Sequence, residues 1–209
     1  MRILIGDDHQ IVREGLKRVV ADRPGLEVAG EAVTGREVLS AVRGRPWDVL
    51  VLEIALPDRC GLDVLKQVKA LAPHLPVLVF SSCAADRYAL RALRAGANGY
   101  LEKRSPCSCL LEAIERVAGG GDYLSPEFAQ RLALEWVGKN GETGHESLSD
   151  REFQVMTLLA GGGAVKDVAE QLCISAKTVS NYRHRLMRKL GLENTTQLIR
   201  YALEHDMVE

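Results

Sequence analysis

Short, nearly continuous apolar runs alternate with amphipathic stretches through the first 120 residues. The runs predict strands at Arg2–Gly6, Glu27–Ala32, Val49–Ile54, Val77–Ser81 and Gly99–Leu101. Between them, apolar positions recur at helical spacing over residues 11–21, 36–43, 62–71 and 87–95, with a fifth helix at 107–118. Strands apolar on both faces, separated by helices, predict a parallel sheet covered on both sides. In a doubly wound sheet of that kind, ligands lie beyond the carboxyl ends of the strands, where the strand order switches.

After Gly119-Gly120-Gly121 the pattern changes. Ser125-Pro126 can start a short helix, because serine caps and proline suits the first helical position. The polar, glycine-rich residues 138–145 read as a flexible linker. From Leu148 the strand signal is gone. Ser149-Asp150-Arg151-Glu152 has the spacing of a capping box, and Phe153, Met156, Leu159 and Ala160 then keep helical period. A second helix is predicted from Val165 to Leu172 and a third from the Ser175 cap to Leu190, with Gly191 as its stop. A fourth runs from Thr195 to Glu204. The expected division is 1–121, an α/β domain; 122–147, short helix and linker; and 148–209, a small all-α domain of four helices.

Composition adds limits. The 209 residues suffice for two modest cores, and the net charge of -1 gives no chain-wide sign of a polyanion partner. No apolar run approaches the roughly 20 residues of a membrane helix. The N-terminal segment has no leader pattern, so a cytoplasmic protein without membrane contact is expected. Five cysteines (Cys60, Cys83, Cys107, Cys109 and Cys173) argue against a disulfide framework, and Cys107-x-Cys109 is not zinc-ribbon spacing.

The chemistry gathers at the predicted strand ends. Asp7-Asp8 follows the first strand, Glu53 the third, Ser81 the fourth, and Lys103 follows Gly99-Tyr100-Leu101. Together with Leu56-Pro57 and Gly61, these residues resemble the receiver domain of bacterial two-component response regulators, which is a flavodoxin-like five-stranded fold. The resemblance implies Mg²⁺ held by Asp7, Asp8, the residue at position 53 and the Ala55 carbonyl. It implies that Lys103 contacts phosphate, that Ser81 bonds the modified acceptor, and that Tyr100 is a coupled aromatic switch.

Glu53 departs from the pattern, standing where such domains carry the phosphoacceptor aspartate. Its extra methylene moves the carboxylate outward by about 1.5 Å. A displacement of about 1 Å can cost on the order of 10²-fold in rate, so phosphoryl transfer to Glu53 is expected to be poor or absent. The longer acid partly imitates the product, with one charge against roughly 1.5 to 2.

The helix predicted after Ser175 carries basic residues and no acid. Its face with Lys177, Ser180, Asn181, His184 and Arg188 lies opposite Val179, Tyr182, Leu186 and Leu190. With Leu148-Ser149-Asp150-Arg151-Glu152, Lys177-Thr178-Val179 and Lys189-Leu190-Gly191, this region resembles a LuxR-type helix-turn-helix. The whole chain looks like a NarL/FixJ-family transcription factor. That resemblance places the helix in the major groove of double-stranded DNA. Ser180, Asn181 and His184 would face base edges, Lys177, Thr178 and Arg188 would grip phosphates, and Arg185 and Lys189 would belong to the same DNA-binding surface. Ala164 and Val165 depart from the polar residues usual before the second helix.

The implied partners are DNA, a cognate histidine kinase and a second copy of the chain, with RNA polymerase left open. Leu198, Ile199 and Tyr201 are a candidate dimer surface, and the fourth and fifth helical regions are another. The competing reading is an enzyme, a Mg²⁺-dependent phosphatase or phosphotransferase with Asp7 as nucleophile on a similar sheet. It leaves the C-terminal domain unexplained. Gly161-Gly162-Gly163 lacks the Lys-Ser/Thr of a phosphate-binding loop.

Overall fold

The computed structural model describes residues 1–125, 128–130, 144–205 and 207–208. The chain divides into two compact units, Met1–Glu135 and Trp136–Glu209.

Among the described residues of the first unit, five strands alternate with five helices: β1 (Arg2–Gly6), α1 (Gln10–Ala21), β2 (Glu27–Ala32), α2 (Gly35–Gly44), β3 (Val49–Leu52), α3 (Gly61–Leu71), β4 (Val77–Ser81), α4 (Ala85–Arg94), β5 (Gly99–Glu102) and α5 (Cys107–Ala118). The strands are parallel, in the order β2-β1-β3-β4-β5. This is the flavodoxin-like topology, whose order switches between β1 and β3. Pairing of Gly6 with Leu52 brings the ends of those two strands level. The Glu53 amide then donates to the Gly6 carbonyl at 2.8 Å, so Asp7 and Glu53 emerge side by side.

Alternation along the strands splits the core. Ile3, Ile5, Val49, Val51, Leu78 and Phe80 pack against Leu16 and Val20 of α1 and Leu110, Ile114 and Val117 of α5. The intervening Leu4, Leu50, Leu52, Val77 and Val79 are equally buried. Each such side chain contributes about 1.5–3 kcal/mol by leaving water. Gly61 has a specific role: a Cβ there would fall 2.3 Å from the Glu53 carbonyl, so only glycine lets α3 start this close to β3.

Several boundaries differ from the sequence pattern, and three of them lie near the strand ends that carry the chemistry. β3 stops at Leu52, which leaves Glu53 and Ile54 in the loop. β5 continues to Glu102. α4 starts at Ala85 rather than near Arg87, because the Glu102 carboxylate accepts from the Ala85 amide at 2.6 Å and supplies a cap that Ala84 lacks. Ser125 does act as a cap, its hydroxyl accepting from the Phe128 amide at 3.2 Å. The rest of that short helix, and most of the linker expected over 138–145, lie outside the described residues.

Among the described residues of the second unit, the first element is a 3-10 turn, Gly144–Ser147, so Gly144 and His145 belong to folded structure. Four helices follow: α6 (Asp150–Ala160), α7 (Val165–Gln171), α8 (Ala176–Leu190) and α9 (Thr195–Glu204). The capping box at Ser149 and Glu152 is formed in both directions. Ser175 caps α8, and Gly191 ends it at φ 67°, in the left-handed region that favours glycine. Phe153, Val155, Met156, Val168, Leu172, Val179, Leu186, Leu198 and Ala202 form the buried interior. Leu198 is therefore not available as a dimer surface. Tyr201 is also engaged, since its hydroxyl accepts from the His145 amide at 3.1 Å.

Candidate functional site

The carboxyl end of β4 and the loops leaving β1, β3 and β5 bring Ser81, Asp7, Glu53 and Lys103 together. Lys103 Nζ stands 2.6 Å from Asp7 Oδ2 and 2.7 Å from Glu53 Oε2. Glu53 is 1 % exposed. Its Oε1 accepts from the Ser81 hydroxyl and from the amides of Ile54, at 2.6 Å, and Ala55, at 3.0 Å. The Ser82 amide donates to Oε2 at 3.3 Å. The β4–α4 loop is thus tied to Glu53 directly. Ser81 Oγ also accepts from the Cys83 amide, and the buried Tyr100 donates its hydroxyl to the Cys83 carbonyl at 2.7 Å.

Charge follows from these contacts. Burial alone would push the Glu53 carboxyl up, but the Lys103 ammonium, the Ser81 hydroxyl and the Ala55 amide hold it below the usual carboxylate range. Burial likewise works to lower Lys103, and the nearby carboxylates of Glu53 and Asp7 outweigh it, so its pKa is raised. The pair is ionised at neutral pH. Cys83, beside it, is pushed up to about 11 mainly by burial and stays a neutral thiol.

Asp7, Asp8 and His9 place one donor atom each within 4.8 Å of one another. Two carboxylates of that kind suit a divalent cation. Glu53 falls outside this group, contrary to its expected place among the ligands, because Lys103, Ser81 and backbone amides occupy both its oxygens. Ala55, another expected ligand, meets Glu53 through its amide. His9 carried no expected role from the sequence, although an imidazole next to two acids was a legible signal.

On α8, the residues Lys177, Ser180, Asn181, His184, Arg185 and Arg188 are exposed, and Thr178 is half-buried with its hydroxyl 2.8 Å from Ser175 Oγ. Val179 and Leu186 are fully buried; Tyr182 and Leu190 are only half so. Lys189 differs from its expected role. Its ammonium turns inward to Glu152 Oε2 at 2.6 Å and approaches the Ser147 carbonyl at 3.3 Å, so it fastens α8 to α6 instead of lying free for phosphate. Arg151 has a part that its sequence context did not signal. It is buried, donating to Gln154 at 2.7 Å and to the Leu172 carbonyl at 2.9 Å, just before the turn into α8.

A parallel sheet of this order, with acids, hydroxyl and ammonium at its switch point, defines a receiver-type signalling domain joined to a helical one. Residues 3–115 match the response regulator receiver domain family, and residues 146–202 match the bacterial regulatory proteins of the luxR family. The response regulator GacA of Pseudomonas aeruginosa is 34% identical over 210 residues, covering 100% of this chain and 98% of its own. RcsB from Salmonella enterica serovar Typhimurium, solved bound to promoter rprA in the presence of phosphomimetic BeF3-, superposes with a TM-score of 0.65. It is 26% identical, over 96% of this chain and 97% of that one. A structure of two RcsB dimers bound to two parallel DNAs gives a TM-score of 0.61 at 26% identity, over 97% of this chain and 98% of that one. The chain belongs to the NarL/FixJ family of two-component response regulators, with a receiver domain and a LuxR-type helix-turn-helix domain.

Proposed function

We propose that this chain is a transcriptional regulator that binds DNA as a dimer on paired half-sites, with Glu53 standing where other receivers are phosphorylated. The observation that carries this is the engagement of Glu53 by both Ser81 and Lys103. These are the groups that would otherwise hold a transferred phosphoryl. A ligand shifts a switch only through its different interaction with the two states. Glu53 supplies one charge where phosphate supplies roughly 1.5 to 2, so partial activation follows. The inward Tyr100 and the loop amides on Glu53 and Ser81 support the same reading.

In this reading the receiver spans residues 1–121 and the DNA-binding domain residues 148–209. Ser180, Asn181 and His184 read bases, while Lys177, Thr178, Arg185 and Arg188 contact phosphates. Asp7 and Asp8 would hold a divalent cation, which when bound offsets negative charge in the pocket. The partners are double-stranded DNA, a second copy and, for input, a histidine kinase or another protein; RNA polymerase would receive the output. The protein acts by binding, not by catalysis. Asp7 makes a poor nucleophile here, since Lys103 holds one of its oxygens and the His9 amide donates to the other at 2.9 Å.

The test is selection of DNA at fixed salt by this chain and by Glu53→Asp, each with and without a small phosphodonor. The wild-type chain should select the same sequence with equal affinity in both conditions, and the variant should respond to the donor. A wild-type response as large as the variant's would refute the reading.

A further inference from the structure

Arg151 and Glu152 are successive residues of α6, and each holds the chain near one end of α8. Glu152 takes the Lys189 ammonium near the C-terminal end, at 2.6 Å. Arg151 serves the other end. It is 8% exposed, and its guanidinium donates to the Leu172 carbonyl at 2.9 Å and to Gln154 Oε1 at 2.7 Å. Leu172 is the C-cap of α7, and only Cys173 and Ile174 separate it from Ser175, the N-cap of α8.

The turn between the two helices has little slack. Cys173 stands at φ 49°, in the left-handed region, and the Ile174 amide donates to the Ala169 carbonyl at 2.9 Å. The Leu172 carbonyl is one of those at a helix end that lack an intrahelical partner, and Arg151 supplies one from another helix. Both acceptors of Arg151 are neutral oxygens, which offset the cost of a buried cation less than a carboxylate would. An apolar side chain of that volume would fill the space at lower cost. What the guanidinium adds is a planar fork whose donors diverge at fixed angles. Gln154, on the next turn of α6, locks one arm, and the other is then aimed at Leu172.

We infer that Arg151 is a positioning residue for sequence recognition: it fixes the direction in which α8 leaves the turn, and so where Ser180, Asn181 and His184 meet base edges. The inference rests on the DNA-binding reading of α8. Contacting groups must be held within about 0.5 Å and 10–20° of the productive geometry. Hydrogen bonds to base edges are directional and lose by such an error, whereas long side chains on phosphates absorb it. Arg151 therefore governs the choice of sequence more than affinity for DNA at large. Its guanidinium is buried and turned to the end of α7, so it grips no phosphate itself.

The experiment compares the full-length chain with Arg151→Met and Arg151→Lys. Each is titrated across a salt series with the duplex that the wild-type chain selects and with a scrambled duplex of equal length. Binding is measured at a temperature where circular dichroism shows the chain folded. Arg151→Met should lose about tenfold or more on the selected duplex. On the scrambled one it should lose less than about twofold, with the salt slope unchanged. Arg151→Lys keeps the charge without the fork, so its discrimination should fall between the other two. Equal weakening on both duplexes would make Arg151 a residue of stability alone, and a salt slope reduced by about 1 would make it a phosphate contact. Either overturns the inference. So does wild-type discrimination in Arg151→Lys, which decides the matter where Arg151→Met does not fold. Indifferent variants beside a discriminating wild type overturn this inference alone; a wild-type chain that selects no duplex overturns the DNA-binding reading as well.

Discussion

Lys103 Nζ lies 2.7 Å from Glu53 Oε2, and the Glu53 end of that contact is sealed from water. Removing one partner of a buried ion pair leaves an uncompensated charge and costs about 3–5 kcal/mol. Lys103→Met should therefore destabilise the first unit by that amount in denaturant melts, since Asp7 loses its cation as well. A loss below about 1 kcal/mol would place the pair in the range of solvated surface bridges.

Acid should act through Glu53. Its folded pKa is depressed, so its contribution to stability is complete above the ordinary carboxylate range and is lost as pH falls through the lower, folded value. Wild type should exceed Glu53→Gln in stability at neutral pH, and the gap should close below about pH 4. For Lys103 the sign reverses: its raised pKa gives stability that is complete below the ordinary lysine value and fades as pH climbs through the folded one. Melting temperature against pH for the two chains reads both. A gap that widens on acidification would contradict the assignment.

Incubation with a small phosphodonor and divalent cation should leave the wild-type mass unchanged. Glu53→Asp should gain one phosphate. Intact-mass spectrometry distinguishes the two, and stoichiometric modification of the wild-type chain at Glu53 would remove the argument from side-chain length.

On DNA, Asn181→Ala should alter base preference at one position of the half-site by about 1–3 kcal/mol. Lys177→Ala should weaken every sequence and reduce the salt slope by about 1. Lys189→Ala should behave differently from both, lowering the melting temperature of the second unit through loss of its bond to Glu152. Equal effects of all three on every DNA would undo the division into readers, grips and anchors.

Most of the fold was legible because two periodicities carry it. Runs such as Val77–Phe80 can only be buried strands, and the capping box at Ser149 fixes a helix start without tertiary help. The pocket was legible through its position, since successive strand ends converge in any doubly wound sheet. The features that escaped the sequence depended on partners far along the chain. Nothing local says that Glu102 will cap α4, that Arg151 will reach the Leu172 carbonyl, or that Lys189 will turn inward to an acid 37 residues away. Glu53 lies beside Ser81 and Lys103, and its saturation by backbone amides had no local signal in the sequence. Leu198 was expected on a dimer surface, and its full burial removes it from one.

The clasp between Lys189 and Glu152 has a consequence for how electrolyte would be felt. Dissolved ions compete for the groove's phosphates, and the half-exposed ammonium end of the clasp is open to the same screening. Rising ionic strength would then loosen the grip on the duplex and unseat the rod that makes it. Binding measured across a salt series should fall more steeply than a tally of phosphate contacts implies, and fixing α8 to α6 by an apolar pair would bring the two into line.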